Sequence, residues 1–581
     1  MYTVVNSGFE QLCIKVNSNT KNLYEILSRK PSSLGNSGFC FVLNVDGKLQ
    51  GVITDSDIRK FVAKYNHLPI SVSEVTNSDF LSISRIHDNA TLKKEILELL
   101  KKRGLKTRLP IRVIPIVDNG YLMGYVDLDQ KLAEQETELE KHIVIGLGYV
   151  GTTFLVCLAE NYGRVVGIDK KNSIVNDLMN GRPHIIEKGL EDILRKNRDK
   201  ILLDTELSNL HRDFPTQSFI FYVCVQTPLN DSGNEISTSF LEQSFSEILE
   251  KMQAGDVVIL RSTVPIGFSR KLTELIKEKT GLEAGLDYNL CFAPERTVEG
   301  KAIEELQTLP QIIGGYSSEC FDRVSRIFHR MGILCLKAIT LEEAEICKLA
   351  SNAYRDYIFA FSNYLSLLCV KFGVDVHNLI KISNFGYPRN NFPKPSPGVG
   401  GPCLSKDSFM LPNFIFGCES PVYQARRLNE VMPQILTRLI LEEISRLNIK
   451  TISVGVVGLA FKGLPETSDT RSSPSLDFIQ ELSEFSPKID VKVWDAVLDR
   501  NSFPAMGLKL IDDKVNIFLL LNNHPSNLDY VVEYASTIGN VKVEYIFDPW
   551  DLIRENGRQT FFENLGVEIS QMSSFSSKLQ W

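Results

Sequence analysis

The stretch HIVIGLGYVGTTFLVCLAENYGRVVGID, residues 142–169, decides the fold class of this chain. An apolar strand runs into Gly146, Gly148 and Gly151, an apolar helix follows, and a second strand ends in Asp169. In such a unit the first glycine makes a tight turn, the second lets a pyrophosphate reach the backbone, and the acid binds a ribose 2′-hydroxyl. The helix N-terminus offers free N–H groups to the phosphates. The pattern predicts a dinucleotide site that prefers NAD, since an acid repels the 2′-phosphate of NADP; a glycine turn that binds nothing is the alternative.

Length, composition and charge narrow the class of protein. The chain has 581 residues, which favours three or four domains, and 43% hydrophobic residues, ample for several cores. A net charge of -7 gives no basic footprint for nucleic acid. The eleven cysteines form no CxxC pair and no metal-ligand spacing, so we expect no metal, no disulfide framework and a reducing cytoplasm. We find no signal-peptide pattern and no run of 18 apolar residues, so we expect no membrane association.

The segment before the glycine turn repeats one pattern. FCFVLNVDGKLQGVITDSDIRKF (39–61) and VIPIVDNGYLMGYVDLDQKL (113–132) both predict strand, turn, strand and helix. This resembles a tandem pair of CBS domains over residues 1–135, an α+β module. The resemblance implies that Thr54 and Asp57 bind the ribose of an adenine nucleotide. Asp127 and Gln130 occupy those places in the second copy, so its site looks degraded.

Two further segments extend the α/β pattern. AITLEEAEICKLASNAYRDYIFAFSNYLSLLCVKFGVD (338–375) predicts one helix of about 30 residues, with a capping box at its start and a glycine at its end. Lys348 and Asn352 are four residues apart and share a face of that helix. From TISVGVVGLAFKG (451–463) onward, strands and helices alternate again, and the polar tail after Ile569 is expected to be loosely held.

GVGGPCLSKDSFM (398–410) places Cys403 after a glycine-rich stretch and Pro402. Proline favours a helix start, where free N–H groups and the helix dipole lower the pKa of a thiol. Asp407 follows four residues later, over the same face. Cys403 is therefore either a nucleophile or a small buried residue that follows a loop.

Taken in order, these motifs resemble the nucleotide-sugar 6-dehydrogenases over residues 140–570. The matching elements are GLGYVG (146–151), RSTVPIGF (261–268), APERTVEGKAIEELQTLPQIIGG (293–315), EAEICKLASNAYRDYIFAFSN (343–363), PGVGGPCLSKD (397–407) and GLAFKGLPETSDTRSSPS (458–475). The resemblance implies three sets of site residues. The catalytic set is Cys403, Lys348, Asn352, Asp407, Thr263 and Glu299. The cofactor set is Gly146, Gly148, Tyr149, Val150, Gly151, Asp169, Thr227, Thr263 and Arg471. The substrate set is Glu295, Lys348, Asn352, Arg389, Lys394, Gly400, Phe461 and Lys462.

The same resemblance implies a domain plan. We expect a CBS pair at 1–135, an NAD-binding Rossmann domain at 140–335, a central helical domain with the catalytic cysteine at 336–440, and a UDP-sugar domain at 446–570. Related enzymes dimerise through the long helix, so we expect at least a homodimer, with one of Arg389 and Lys394 reaching the neighbouring subunit's substrate. The chain departs from the family at Gln226 (proline is usual), Pro402 (histidine or serine), Tyr364 (glutamate) and in the N-terminal domain pair.

The implied reaction oxidises the C6 alcohol of a UDP-sugar to a carboxylate with two NAD, through a Cys403 thiohemiacetal and thioester. Lys348 and Asn352 would steady the oxyanion, Asp407 and Thr263 would orient a water, and Glu299 would be the base for hydrolysis. A two-electron hydroxy-acid dehydrogenase and a catalytically silent CBS-type sensor are the alternatives. PER (294–296) and YPRNN (387–391) favour a UDP-N-acetylhexosamine, whereas Glu299 and KPSPGVGG favour UDP-glucose; we expect the former, and a role in surface polysaccharide synthesis.

Overall fold

The structure is a computed structural model. It describes residues 3–5, 9–18, 23, 38–65, 67–83, 113–127, 140–211, 218–230, 236–449, 452–485, 489–537 and 539–575.

The N-terminal segment forms two small sheets. Its elements are β1 (Thr3–Val5), β2 (Cys13–Lys15), β3 (Phe39–Leu43), β4 (Leu49–Thr54), α1 (Asp55–Tyr65), β5 (Val113–Asp118) and β6 (Tyr121–Asp127). The strand orders are β2-β3-β4 and β1-β6-β5, and β3–β4 and β5–β6 are both antiparallel hairpins. Both predicted strand–turn–strand units are thereby confirmed; the helix predicted after the second, including Gln130, lies outside the described residues.

The next unit is an eight-stranded sheet covered by helices. Its elements are β7 (Glu140–Ile145), α2 (Tyr149–Tyr162), β8 (Val165–Ile168), α3 (Asn172–Met179), α4 (Leu190–Lys196), β9 (Ile201–Asp204), β10 (Ser218–Val223), α5 (Ser239–Lys251), β11 (Val257–Leu260), α6 (Phe268–Thr280), β12 (Asn289–Phe292), α7 (Ala302–Thr308), β13 (Gln311–Gly315), α8 (Ser318–Arg330) and β14 (Cys335–Ala338). The order is β14-β13-β12-β11-β10-β7-β8-β9. Every pairing is parallel except β12–β13, as expected for strands that are mostly apolar.

A helical unit joins the two α/β units. It consists of α9 (Leu341–Phe372), α10 (Val376–Asn384), α11 (Leu404–Asp407), the hairpin β15 (Phe414–Ile415) and β16 (Cys418–Glu419), and α12 (Pro421–Arg446). Helix α9 has 32 residues; Thr340 Oγ1 accepts the Glu343 N–H at 3.0 Å, and Gly373 (φ +66°) ends the helix. The prediction of a long capped helix is confirmed.

The C-terminal unit is a five-stranded parallel sheet. Its elements are β17 (Ser453–Val457), α13 (Pro474–Phe485), β18 (Asp490–Trp494), β19 (Ile517–Leu520), α14 (Pro525–Ser536), β20 (Tyr545–Phe547), α15 (Leu552–Glu555), α16 (Gln559–Asn564) and β21 (Glu568–Ser570), in the order β18-β17-β19-β20-β21. The expectation of a loose tail after Ile569 is wrong up to Phe575. Met572 and Phe575 are buried in the core beside α10 and α12, and Ser573 Oγ accepts the Val376 N–H at 2.9 Å. Burial of these two apolar side chains holds the segment on the core, although most of its residues are polar.

Candidate active site

The cofactor turn lies between β7 and α2. Gly146 has φ +87°, and a Cβ there would lie 2.9 Å from the Val225 nitrogen, so only glycine makes this turn. A Cβ on Gly151 would lie 1.8 Å from the Gly146 oxygen, so this glycine lets the helix pack on the strand. Gly148 is different, because a Cβ there would meet nothing nearer than the Gln226 Nε2 at 4.0 Å. Gly148 therefore provides the open approach that a pyrophosphate needs.

Asp169 is anchored at the end of β8. Its Oδ2 accepts the Leu147 N–H at 2.7 Å and its Oδ1 accepts the Lys171 N–H at 2.9 Å, so the carboxylate is fixed beside the turn. A cavity of about 160 Å³ opens there, lined by Gly146, Gly148, Asp169, Lys170, Gln226 and Phe240 among others. Glycine turn, helix N-terminus, acid and cavity together fit NAD.

The other predicted cofactor residues each contact a different part of the protein. Val150 packs on the core of the sheet. The Thr227 hydroxyl donates to the Thr263 carbonyl oxygen at 2.8 Å, so the two predicted threonines are joined. Arg471 is exposed and forms an ion pair with Asp469. The Tyr149 hydroxyl donates to Glu187 and accepts the Gly300 N–H.

The predicted catalytic residues of the joint are brought together. Cys403 is exposed and immediately precedes α11, and its carbonyl oxygen accepts the Asp407 N–H at 2.9 Å. The buried Asp407 carboxylate accepts from the Asn352 amide at 2.6 Å and from the Lys406 ammonium at 2.8 Å. Lys406 also reaches the Thr227 hydroxyl at 3.3 Å. Asp407 thus connects the long helix, the cysteine loop and the cofactor domain.

The predicted low pKa of the Cys403 thiol is wrong. Although the residue is exposed as a whole, protein groups crowd the sulfur; this desolvation raises the pKa of the thiol, and the Asp407 carboxylate adds to the increase. The Lys348 and Lys406 ammonium groups oppose the increase without reversing it. Helix α11 has only four residues, so its dipole is too short to outweigh burial and a neighbouring carboxylate.

Glu299 lies at the contact between the cofactor domain and the C-terminal domain. The Thr467 hydroxyl donates to its Oε2 at 3.1 Å, and the Arg471 guanidinium lies 3.7 Å from its Oε1. Burial and the nearby Asp469 carboxylate raise the pKa of Glu299, whereas Arg471 and Lys462 lower it, with a net increase. A carboxyl group with a raised pKa beside a cleft is suited to accept a proton.

Several predicted substrate residues are engaged elsewhere. Glu295 pairs with the fully buried Arg261, and its other oxygen accepts the Arg296 N–H at 2.7 Å and the Thr297 N–H at 3.0 Å. These contacts hold the Glu295 carboxylate in place, and its role toward the substrate stays a prediction. Lys394 forms an ion pair with Glu555 of the C-terminal domain at 2.6 Å.

The exposed Arg389 stacks on Tyr387, with its guanidinium carbon 4.7 Å from the ring centroid. The Lys462 ammonium donates to the Glu299 carbonyl oxygen at 2.8 Å. The latter contact holds the predicted base, and neither residue contacts Cys403.

The glycines before Cys403 let the loop pack closely on the rest of the protein, and the expectation that Gly400 also admits the sugar stays a prediction. A Cβ on Gly400 would lie 2.0 Å from the Ser472 oxygen. A Cβ on Gly401 (φ +91°) would lie 2.7 Å from the Phe461 ring. The cysteine loop therefore closes directly on the C-terminal domain, and Phe461 is its contact.

Sequence reasoning missed the residue that holds the cysteine loop. Arg426 of α12 is 2% exposed and donates to the Val399 oxygen at 2.9 Å and the Leu404 oxygen at 3.3 Å, on both sides of Cys403. Its Nη1 also pairs with Asp356 of α9 at 2.9 Å. No signal in the sequence singles out Arg426.

Asp356 was missed although a signal was present. It follows Asn352 by four residues, so Lys348, Asn352 and Asp356 share one face of α9. Its carboxylate accepts from the Ser408 hydroxyl at 3.2 Å and the Asn429 amide at 2.8 Å, in addition to Arg426. The cysteine loop is thus tied to two helices through one buried carboxylate.

The fold and the site define an NAD-dependent oxidoreductase. Residues 140–332 match the NAD-binding domain of the UDP-glucose/GDP-mannose dehydrogenase family, and residues 342–430 match the central domain of that family. The UDP-N-acetyl-D-mannosamine dehydrogenase of Pyrococcus horikoshii is 32% identical over 430 residues, which are 73% of this chain and 98% of that protein. The chain therefore belongs to the UDP-glucose/GDP-mannose dehydrogenase family.

Solved structures agree with this assignment. The structure of the Pyrococcus horikoshii enzyme aligns with a TM-score of 0.66 and 28% identity, over 75% of this chain and 99% of that one. The UDP-N-acetyl-mannosamine dehydrogenase Cap5O of Staphylococcus aureus aligns with a TM-score of 0.61 and 25% identity, over 74% and 98%. The predicted family, the cofactor and the α/β fold of its two main units are confirmed. Both family matches begin at or after residue 140, so the CBS resemblance of the N-terminal segment stays a prediction.

The described residues contain neither a membrane-spanning helix nor a metal-binding cluster. No helix among them is both long and apolar enough to cross a membrane. No group of three or more histidine, cysteine or acidic side chains in the same residues is arranged to hold a metal ion.

Proposed function

We propose that this enzyme oxidises the C6 alcohol of a UDP-N-acetylhexosamine, UDP-N-acetylmannosamine or UDP-N-acetylglucosamine, to the UDP-uronic acid for surface polysaccharide synthesis. The observation that carries this proposal is the constellation at the joint, where Cys403 adjoins Lys348 and the Asn352–Asp407 pair. A two-electron oxidation needs no nucleophile. The names of the UDP-N-acetyl-D-mannosamine dehydrogenases above support the choice of sugar.

Bound NAD supplies the hydride acceptor and takes one hydride per molecule, so each sugar consumes two NAD. Between the two oxidations the aldehyde has to be held, and Cys403 performs this task. Its sulfur adds to the aldehyde carbon, and the thiol proton passes to the aldehyde oxygen by way of a water held by Asp407 and Thr263. The product is a thiohemiacetal, and its oxidation leaves a thioester on the same sulfur.

The raised pKa of the thiol is consistent with this order of events. A raised pKa favours the protonated thiol over the thiolate, and the protonated thiol is the less reactive form. Lys348 is a buried residue, and its ammonium forms no hydrogen bond or ion pair with another described residue. The Lys348 ammonium, by its positive charge, and the Asn352 amide, by its N–H groups, stabilise the oxyanion that forms when the sulfur adds to the aldehyde.

Hydrolysis releases the product. Glu299 removes a proton from a water that attacks the thioester carbon, the carbon–sulfur bond breaks, and the thiol is restored with a carboxylate on the sugar. Burial makes Glu299 a stronger base than an ordinary carboxylate, because its pKa is raised.

The experiment that tests the substrate is NADH production from UDP-N-acetylmannosamine, UDP-N-acetylglucosamine, UDP-glucose and GDP-mannose. We expect the highest kcat/KM with one of the two N-acetylhexosamines. Preference for UDP-glucose or GDP-mannose would contradict the choice of sugar while leaving the cysteine chemistry in place.

The long helix also supports a homodimer. One stripe of α9 exposes large apolar side chains at spacings of three and four residues, a pattern typical of a helix that packs on a second helix. They are Tyr354, Tyr357, Phe361, Tyr364, Leu368 and Phe372. Tyr364 replaces the usual glutamate within this stripe. We expect light scattering to give a dimer, and Phe361→Glu with Tyr364→Lys to give a monomer; a native monomer with full activity would refute the dimer.

The N-terminal module provides a second ligand site in this proposal. Thr54 donates to Asp57 Oδ2 from its N–H at 2.8 Å and from its hydroxyl at 2.6 Å, so the two residues form one polar corner where β4 meets α1. This corner supports binding of an adenine nucleotide, which tunes activity only if it favours one conformation. The alternative is a scaffold. Calorimetric titration of the full chain with AMP, ADP and ATP, beside Thr54→Ala/Asp57→Ala, decides between them, since equal heats from both proteins leave only the scaffold.

A further inference from the structure

Tyr149 occupies the first position of α2, directly after the glycine where the pyrophosphate approaches. Its hydroxyl donates to the carboxylate of Glu187, a buried residue in the loop before α4. The Gly300 N–H in turn donates to the Tyr149 oxygen at 2.8 Å and to Glu187 Oε2 at 2.9 Å. The cofactor turn is therefore hydrogen-bonded to the residue that follows Glu299.

The other side of the same short turn is held by the C-terminal domain. The Lys462 ammonium donates to the Glu299 carbonyl oxygen at 2.8 Å, and the Thr467 hydroxyl donates to its carboxylate. Gly300 has φ +89°, and a Cβ there would lie 2.8 Å from the Glu466 oxygen. The turn is thus fixed between two domains. Among the described residues, the side chains that accept the Gly300 N–H are those of Tyr149 and Glu187.

We propose that Tyr149 and Glu187 are positioning residues for Glu299, and that they link the cofactor turn to the hydrolysis of the thioester. This inference rests on the proposed function, in which Glu299 is the base. A carboxylate acts as a base only when it is within hydrogen-bond reach of the attacking water, and small displacements have large effects on rate. The hydroxyl of Tyr149 and the carboxylate of Glu187 set the position of the Gly300 N–H, and so the direction of the adjacent Glu299.

The link assigns Tyr149 a role separate from cofactor affinity. Its backbone belongs to the NAD turn, whereas its hydroxyl is committed to Glu187 and Gly300. Removing the hydroxyl leaves the glycines, Asp169 and the helix N-terminus unchanged. The loss should therefore appear at hydrolysis, after both oxidations, and not in NAD binding.

The test compares Tyr149→Phe, Glu187→Gln and Glu299→Gln in the full-length enzyme, with Tyr316→Phe as the matched control because Tyr316 is exposed in the same domain. NAD binding is measured by calorimetry and turnover by NADH formation. The fraction of Cys403 that carries the acyl adduct is measured by acid quench during turnover and mass spectrometry of the cysteine peptide.

We expect the Kd for NAD of Tyr149→Phe and Glu187→Gln to stay within about twofold of the native value, and kcat to fall about tenfold. The adduct fraction should rise above that of the native enzyme, as in Glu299→Gln, and Tyr316→Phe should match the native enzyme. A native kcat and a native adduct fraction in both Tyr149→Phe and Glu187→Gln would overturn the link. A loss of turnover that saturating NAD restores would also overturn it, because the defect would then lie in cofactor binding. If Glu299→Gln accumulates no adduct, the base assignment fails and the link fails with it.

Discussion

The cofactor turn and the cysteine loop are both glycine-rich, yet they are held in place by different means. Between Gly146 and Gly151 the constraints come from the backbone: Gly146 is left-handed and lies against the Val225 nitrogen, and Gly151 lies against the Gly146 oxygen within the same six residues. The loop at Cys403 is held by side chains from two helices, and Arg426 lies 70 residues after its partner Asp356. A local motif can be read from sequence, whereas a loop held by distant charges cannot.

The difference has energetic consequences. A turn fixed by backbone geometry fails when a side chain is added, because atoms then overlap. A loop fixed by a buried ion pair fails when one partner is removed, because the other charge is left unpaired. Substitutions in the two regions should therefore have different effects on stability and on binding.

Cys403→Ser should abolish acid formation, with a loss of at least about a thousandfold, because a hydroxyl is a poor nucleophile at its free pKa. NAD and sugar binding should persist, since the loop is held by Arg426 and not by the sulfur. Acid production is measured by chromatography and binding by calorimetry. Near-native acid production would remove the thioester from the mechanism.

Arg426→Ala should lower the free energy of unfolding by about 3–5 kcal/mol, because Asp356 would keep a buried charge without its partner. The folded fraction should retain NAD binding and lose turnover. Denaturant unfolding is compared with Arg195→Ala, which breaks the exposed ion pair with Glu191 and should cost no more than about 1 kcal/mol. Equal effects of the two substitutions would show that Arg426 does not hold the loop.

Gly151→Ala and Gly148→Ala should differ in kind. The first places a Cβ 1.8 Å from the Gly146 oxygen and should cost about 1–3 kcal/mol of stability through overpacking. The second meets only Gln226 Nε2 at 4.0 Å, so stability should be unchanged while the Kd for NAD rises about tenfold, because the methyl group lies in the pyrophosphate approach. Thermal unfolding measures the stability of the two variants, and calorimetry measures their Kd for NAD. The reverse pattern would contradict the roles assigned to the two glycines.

Arg471→Gln should move the acid limb of the kcat–pH profile to higher pH. Arg471 lowers the pKa of Glu299, so its removal raises that pKa further. The base acts in its deprotonated form, which is lost as pH falls through the pKa; a higher pKa therefore means loss of activity at a higher pH. The profile is measured at saturating NAD beside Arg270→Gln, which removes an exposed pair with Glu342. An unmoved limb would show that another group titrates.

Features that depend on a short stretch of sequence could be predicted. The long helix follows from its cap, its terminal glycine and the lack of proline, and the NAD site follows from the spacing of Gly146, Gly148 and Gly151. The sign of the Cys403 pKa shift could not be predicted, because it depends on how closely other protein groups and the Asp407 carboxylate surround the sulfur in the folded chain. The role of Gly400 was equally hidden, since its constraint is a carbonyl oxygen 72 residues later in the chain.

The measurement that tests the central claim most directly is the ratio of NADH formed to UDP-sugar consumed, with the product identified by mass spectrometry. A cysteine that holds the aldehyde between two oxidations predicts two NADH per sugar and a uronic acid as the product. One NADH per sugar, with an aldehyde or ketone as the product, would contradict the account.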